Sequence, residues 1–272
     1  MRIALLVAYD GTGFRGFARQ PQRRTVQGLV EEALSQLVRV PIRTTGAGRT
    51  DAGVHAAGQV VSFEAPDGTE PEWLAHRLNR RLAPEISIRA AAEVPETFDA
   101  RHSARRRLYE YHLYRSATRD PFIDRFVVWA PGRLDIRAMR RAGRAFVGEH
   151  DFSSFCRRGE GSMGRRIRSI TIRASAPERL VVRFVADSFC HQMVRSIVGF
   201  LLEVGRGRRS AEDAVGAIAA RDRSAAGPVA PAKGLVLLEV RYAADPFAPV
   251  LRRRVSRKPE TARQTAPPMR PA

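Results

Sequence analysis

The stretch Thr45–His55, TGAGRTDAGVH, sets three glycines, Gly46, Gly48 and Gly53, around a single Arg-Thr-Asp triplet. Glycine serves where the backbone must take unusual dihedrals or approach another group closely. The residues on either side read as extended chain. Ile42 to Thr45 follows Pro41, and GQVVSFE, Gly58–Glu64, is rich in β-formers. The stretch is therefore a loop between two strands, and it frames one carboxylate, Asp51, with Arg49 two residues before it.

Phosphate-binding readings of this loop fail. GAGRTD starts as G-x-G but has Asp51 where the dinucleotide fingerprint needs its third glycine. GRTDAGVH has two glycines at P-loop spacing but continues Val54-His55 instead of Lys-Ser/Thr. A metal on Asp51 and His55 would need further ligands, and no H-x-E or HExxH spacing lies near. Two readings stay open on the residues alone. Asp51 caps a turn, or it is a nucleophile or base. A carboxylate beside a guanidinium is a persistent anion, a poor general base but ready for covalent attack.

Composition narrows the partners. The 272 residues carry 47 Lys+Arg against 28 Asp+Glu, a formal charge of +19. The segment from Leu251 onward has seven basic residues against Glu260, a net +6, which leaves +13 for the body. A body this basic points to a polyanion, a nucleic acid or a membrane surface. Only Lys233 and Lys258 are lysines. No apolar run reaches the ~20 residues that span a bilayer. The opening MRIALLVAYDGTG reads as a strand and turn, not a signal peptide, so a cytoplasmic protein is expected. Cys156 and Cys190 show no CxxC and are expected as two free thiols.

Along the chain, strands alternate with helices whose apolar faces are one-sided. Ile3–Tyr9 reads as a buried strand. Val26, Val30, Leu34 and Leu37 fall on one helical face, with Thr25 as N-cap and Pro41 as stop. A helix is expected within 71–82 and a strand over 86–94. RRRLYEYHLYR, Arg105–Arg115, alternates as a long strand, with Tyr109, Tyr111 and Leu113 on one face. A helix capped by Asp135 follows, then a hairpin over 168–175 and 179–187 about APER. Cys190, Met193, Val194, Ile197, Val198 and Leu201 mark a helix ending near Gly205. A short helix over 211–219 and a strand over 234–242 complete an α+β pattern. The expected units are 1–103, 104–247 and a basic, Pro-rich tail, 248–272, expected to be disordered.

YDGTGFRGFARQP, TVQGLVEEAL, GAGRTDAGVHAAGQVVSFE, RLYEYHLY, FCHQMVRSIVG and PAKGLVLLEVRY occur in this order from about Arg2 to Tyr242. Together they closely resemble the TruA family of tRNA pseudouridine synthases. The resemblance implies two mixed α/β subdomains whose antiparallel sheets join into one central sheet, with helices on one side. It implies isomerisation of uridine to pseudouridine in the anticodon stem-loop of tRNA (tRNA positions 38–40), in a homodimer and without cofactor or metal. By the family pattern Asp51 is the nucleophile and Tyr109 the active-site tyrosine, stacking on a flipped uracil. Arg195 pairs with the catalytic carboxylate, and Arg49 handles the flipped nucleotide. His55, His191, Gln192 and Lys233 are weaker candidates for tRNA or pocket contacts. Phe14 and Phe17 are either core anchors or stacking platforms, and Phe17 stands where many members carry Trp. A non-catalytic tRNA-binding module and a metal-dependent nucleotide hydrolase are the competing classes.

Overall fold

The computed structural model describes residues 1–157 and 162–251. Ten strands form one sheet: β1 (Arg2–Tyr9), β2 (Thr44–Gly46), β3 (His55–Glu64), β4 (Ile86–Val94), β5 (Arg106–Tyr114), β6 (Val128–Trp129), β7 (Gly148–Asp151), β8 (Gly164–Ala176), β9 (Arg179–Ala186) and β10 (Leu235–Arg241). Five helices accompany them: α1 (Val26–Val38), α2 (Pro71–Leu82), α3 (Ile136–Ala145), α4 (Met193–Gly205) and α5 (Asp213–Ala219). The strand order is β4-β1-β3-β10-β5-β9-β8-β7, with β2 on β3 and β6 on β5. The sheet thus runs unbroken from the N-terminal half into the C-terminal half.

The seam between the halves is the parallel pair β3–β10, where Val236 and Leu237 lie opposite His55 and Ala56. Strand β10 then pairs antiparallel with β5, setting Leu237 against Tyr109. The glycine-framed loop feeds directly into the start of β3. Its carboxylate is therefore delivered two strands away from Tyr109.

The helices follow from their patterning. The Thr25 hydroxyl accepts from Gly28 N and caps α1, a contact worth about 1 kcal/mol. Val26, Val30 and Leu34 are buried in the core. Arg39 ends α1 in the left-handed region, at φ 58°, two residues before Pro41. Glu31, on α1, is buried and takes Thr44 N at 2.9 Å and Arg19 Nη1 at 3.0 Å. That carboxylate fixes α1 to β2, the strand leading into the loop.

Three expectations change, and two short strands are added. Helix α4 starts at Met193, not Cys190, because Gln192 adopts φ 65°. Helix α5 starts at Asp213 instead of Ala211, although Ser210 and Asp213 bond each other's backbone N–H at its entry. The short strands β6 and β7 carry too few residues to show alternation. Cys156 and Cys190 are not two free thiols but a disulfide, with Cα atoms 5.8 Å apart. Arg157 N donates to His191 O beside the bond. The tail beyond Leu251 lies outside the described residues.

Candidate active site

Asp51 sits at the tip of the loop, and the loop is held from every side. Phe17 N donates to Thr50 O at 3.0 Å. The Tyr9 and Thr50 hydroxyls meet at 2.8 Å. Gln59 Nε2 donates to Gly48 O at 2.7 Å. Gly11 packs so closely on Val54 that a Cβ there would overlap its carbonyl. Gly53, at φ 77°, makes the turn that only glycine takes without strain.

Both carboxylate oxygens have partners. Arg195 Nη1 donates to Asp51 Oδ2 at 2.8 Å, and His191 Nε2 lies 3.2 Å from Oδ1. The Asp51 and Arg195 side chains are 16% and 15% exposed, so the pair is sheltered yet reachable. Arg195 is itself fixed. Its Nε donates to Ala230 O at 2.8 Å, and its backbone carbonyl accepts from Ala230 N at 3.1 Å. Gly199 makes this docking possible, since a Cβ there would overlap the Pro228 carbonyl. Tyr111 O–H donates to Pro231 O at 2.8 Å and holds the same segment from β5.

Tyr109 is buried, and the edge of its ring meets Phe189 with centroids 5.2 Å apart. A Cβ on Gly48 would stand 3.8 Å from its hydroxyl, so the phenol lies against the glycine-framed loop. Burial, with Tyr9 and Asp51 adding to it, pushes the phenol far above its ordinary pKa. It stays protonated at neutral pH.

The other candidates divide. His191 reaches the carboxylate directly. Gln192 sets the left-handed start of α4. His55 is 3% exposed. Its Nδ1 accepts from Gly11 N at 3.0 Å, and its Nε2 lies 3.2 Å from Arg125 O. It braces the loop from inside. Lys233 stands in the turn beside Gly53, and its amine donates to Asp124 at 2.6 Å. Arg49 is exposed and makes no hydrogen bond or ion pair among the described residues. Phe14 and Phe17 are core anchors: both are buried, and Phe17 packs its ring on Gly46.

Arg107 is the residue that sequence reasoning missed. It is buried, with no carboxylate partner, and its guanidinium donates only to backbone carbonyls. Nη2 reaches Ala47 O at 2.9 Å and Arg101 O at 2.8 Å, and Nη1 reaches Asp187 O at 2.7 Å. One side chain thus ties the glycine-framed loop to the entry of β5 and the exit of β9. Desolvation lowers its pKa. The signal was present: Arg107 shares the strand face of Tyr109 and Tyr111. The flanking Arg105 and Arg106 made it look like part of a solvated run.

The family model described as tRNA pseudouridine synthase matches residues 5–103 and 142–243. The chain belongs to this family. It is similar to tRNA pseudouridine synthase A of Geobacillus kaustophilus, 43% identical over 245 residues, covering 89% of this chain and 94% of the relative. The corresponding protein of Frankia casuarinae is 46% identical over 90% of this chain and 91% of its own length. That of Thermotoga neapolitana is 38% identical over 89% and 99%. The enzyme is accordingly an isomerase that makes pseudouridine in tRNA. Among the described residues of this synthase, no three His, Cys, Asp or Glu side chains cluster as a metal site. No helix among them is long and apolar enough to cross a membrane.

Proposed function

We propose that the enzyme acts on uridines in the anticodon stem-loop of tRNA, with Asp51 as nucleophile on a base flipped out of the stack. The observation that carries this reading is the carboxylate held by Arg195 and His191 in a part-buried, glycine-framed loop. An anion offered to a polyanion needs cations at its back, or phosphate repulsion expels it. Arg195 supplies one, 2.8 Å away.

The N1–C1′ bond breaks, the uracil turns, C1′ joins C5, the C5 proton leaves and N1 takes one up. Nothing is oxidised and no group departs. Flipping costs a few kcal/mol, which Tyr109 helps offset by offering its ring to the uracil. Because the phenol stays protonated, Tyr109 acts as a stacking face and proton relay, not as a phenolate base. Arg49, uncommitted in the free enzyme, is placed to hold the flipped nucleotide. In this reading, residues 1–103 bring Asp51 and 104–247 bring Tyr109 and Arg195, so the site exists only where the halves meet. A cytoplasmic homodimer accepting tRNA across both subunits belongs to the same reading.

Mapping pseudouridine in unmodified tRNA transcripts, by carbodiimide treatment and primer extension, tests the site of action. Stops confined to the anticodon stem-loop support it. Stops elsewhere contradict it.

A further inference from the structure

Three surface depressions in the N-terminal half join end to end. The first holds Arg49 together with Arg19 and Arg43. The second shares Arg19 and Arg43 with it and runs along α1 to Arg39. The third shares Arg39 with the second and ends on α2 among Trp73, Arg77, Arg80 and Arg81. The groove therefore starts two residues from the catalytic Asp51 and leads away from it.

Its charge is one-signed where it is farthest from the site. No carboxylate lines the third depression. Nearer the site the second depression carries two carboxylates, the exposed Glu32 and Glu31, which is buried in the floor, held by Thr44 and answered by Arg19 and Arg43. Among the described residues, the exposed side chains of Arg39, Arg49 and Arg80 make no hydrogen bond or ion pair. Trp73 is 39% exposed, and the Arg77 guanidinium lies 5.9 Å from its ring centroid. Arg81 donates one N–H to Gln36 at 2.6 Å; the free forks of Arg39, Arg49 and Arg80, with the remaining donors of Arg77 and Arg81, match phosphate oxygens, which guanidinium groups can take bidentately. The thirteen residues of α1 rise about 20 Å.

We infer that this α1–α2 groove is a second RNA-binding surface, which holds the backbone of a tRNA stem beyond the loop whose uridine is modified. The inference rests on tRNA as the substrate and deepens that reading. Recognition here is by phosphate spacing and helical shape, not base sequence. The groove thereby anchors substrates whose sequences differ, while the flipped uridine reaches Asp51.

The test replaces Arg39, Arg77, Arg80 and Arg81 together by Gln, with a parallel all-Lys variant. Binding is titrated against salt with an unmodified full-length tRNA transcript and with a short hairpin carrying the same loop. Four lost phosphate contacts should weaken full-length binding at least tenfold and flatten the salt slope by about one unit per contact. The Lys variant should restore most of the affinity, and turnover of the hairpin should stay at the wild-type level. Unchanged full-length affinity and slope would overturn the groove while leaving the activity assignment intact. Equal weakening for hairpin and full-length tRNA, or no rescue by Lys, would overturn it as well. A wild type that binds neither RNA would instead count against the anticodon-arm reading.

Discussion

Arg195 Nη1 donates to Asp51 Oδ2 at 2.8 Å, across 144 residues of sequence. The same guanidinium is tied to Ala230 O, so the carboxylate is aimed by a group that is itself anchored. Arg195→Lys keeps the charge but cannot hold Asp51 Oδ2 and Ala230 O together in the fixed fork of a guanidinium. Its kcat should fall roughly tenfold to a hundredfold with KM little changed, the signature of misplacement rather than lost binding. An unchanged kcat would show that the pair only balances charge.

Gly199 lets α4 lie on the segment that anchors Arg195. In Gly199→Ala the new methyl overlaps the Pro228 carbonyl, and backbone must shift. Overpacking of this kind costs about 1–3 kcal/mol. Thermal melts should show the loss, and kcat should drop with it. A variant of wild-type stability and rate would mean that the contact at 228 is slack.

Arg107 reaches the Asp51 loop through Ala47 O, and a positioning role there predicts a split between kcat and affinity. Arg107→Met leaves buried carbonyls without donors, each worth about 1–3 kcal/mol, and should unfold at markedly lower temperature. Arg107→Lys is the sharper probe, since a lysine retains the charge but reaches fewer of the carbonyls. It should fold, bind tRNA with near-wild-type affinity and turn over at least tenfold more slowly. Equal losses in kcat and affinity would make Arg107 a general structural residue instead of a positioning one.

Burial holds His55 and His112 below the ordinary imidazole value. The unfolded chain binds protons near pH 6.5 that the folded chain refuses. The proton count is then higher in the unfolded state, so stability rises with pH there. It is complete above about pH 6.5 and is lost as pH falls below that. Melting temperatures recorded from neutral to mildly acidic pH should decline, and less steeply in the double variant His55→Asn, His112→Gln. Identical slopes would assign the acid sensitivity to other groups.

Much of this site was legible before the fold. The glycine frame, the carboxylate within it and the alternation through Tyr109 are local patterns. Thr25 and Asp135 cap their helices as their spacing demands. What stayed hidden depends on long-range meetings. Cys156 meets Cys190 because chain on both sides of the bond folds back, and nothing in either segment announces it. His191 reaches Asp51 because Gln192 turns left-handed just before α4. Arg107 was masked by its neighbours, although strand parity placed it beside Tyr109. The α1–α2 groove is assembled from separate helices and has no sequence signature at all.

The central claim is that Asp51 performs the chemistry. The direct measurement is tritium release from tRNA labelled at uracil C5, with the wild type beside Asp51→Asn, an isostere that keeps the shape of the loop. Steady release by the wild type and none by the variant, with tRNA affinity retained, is the expected result. Equal release by both would remove Asp51 from the mechanism.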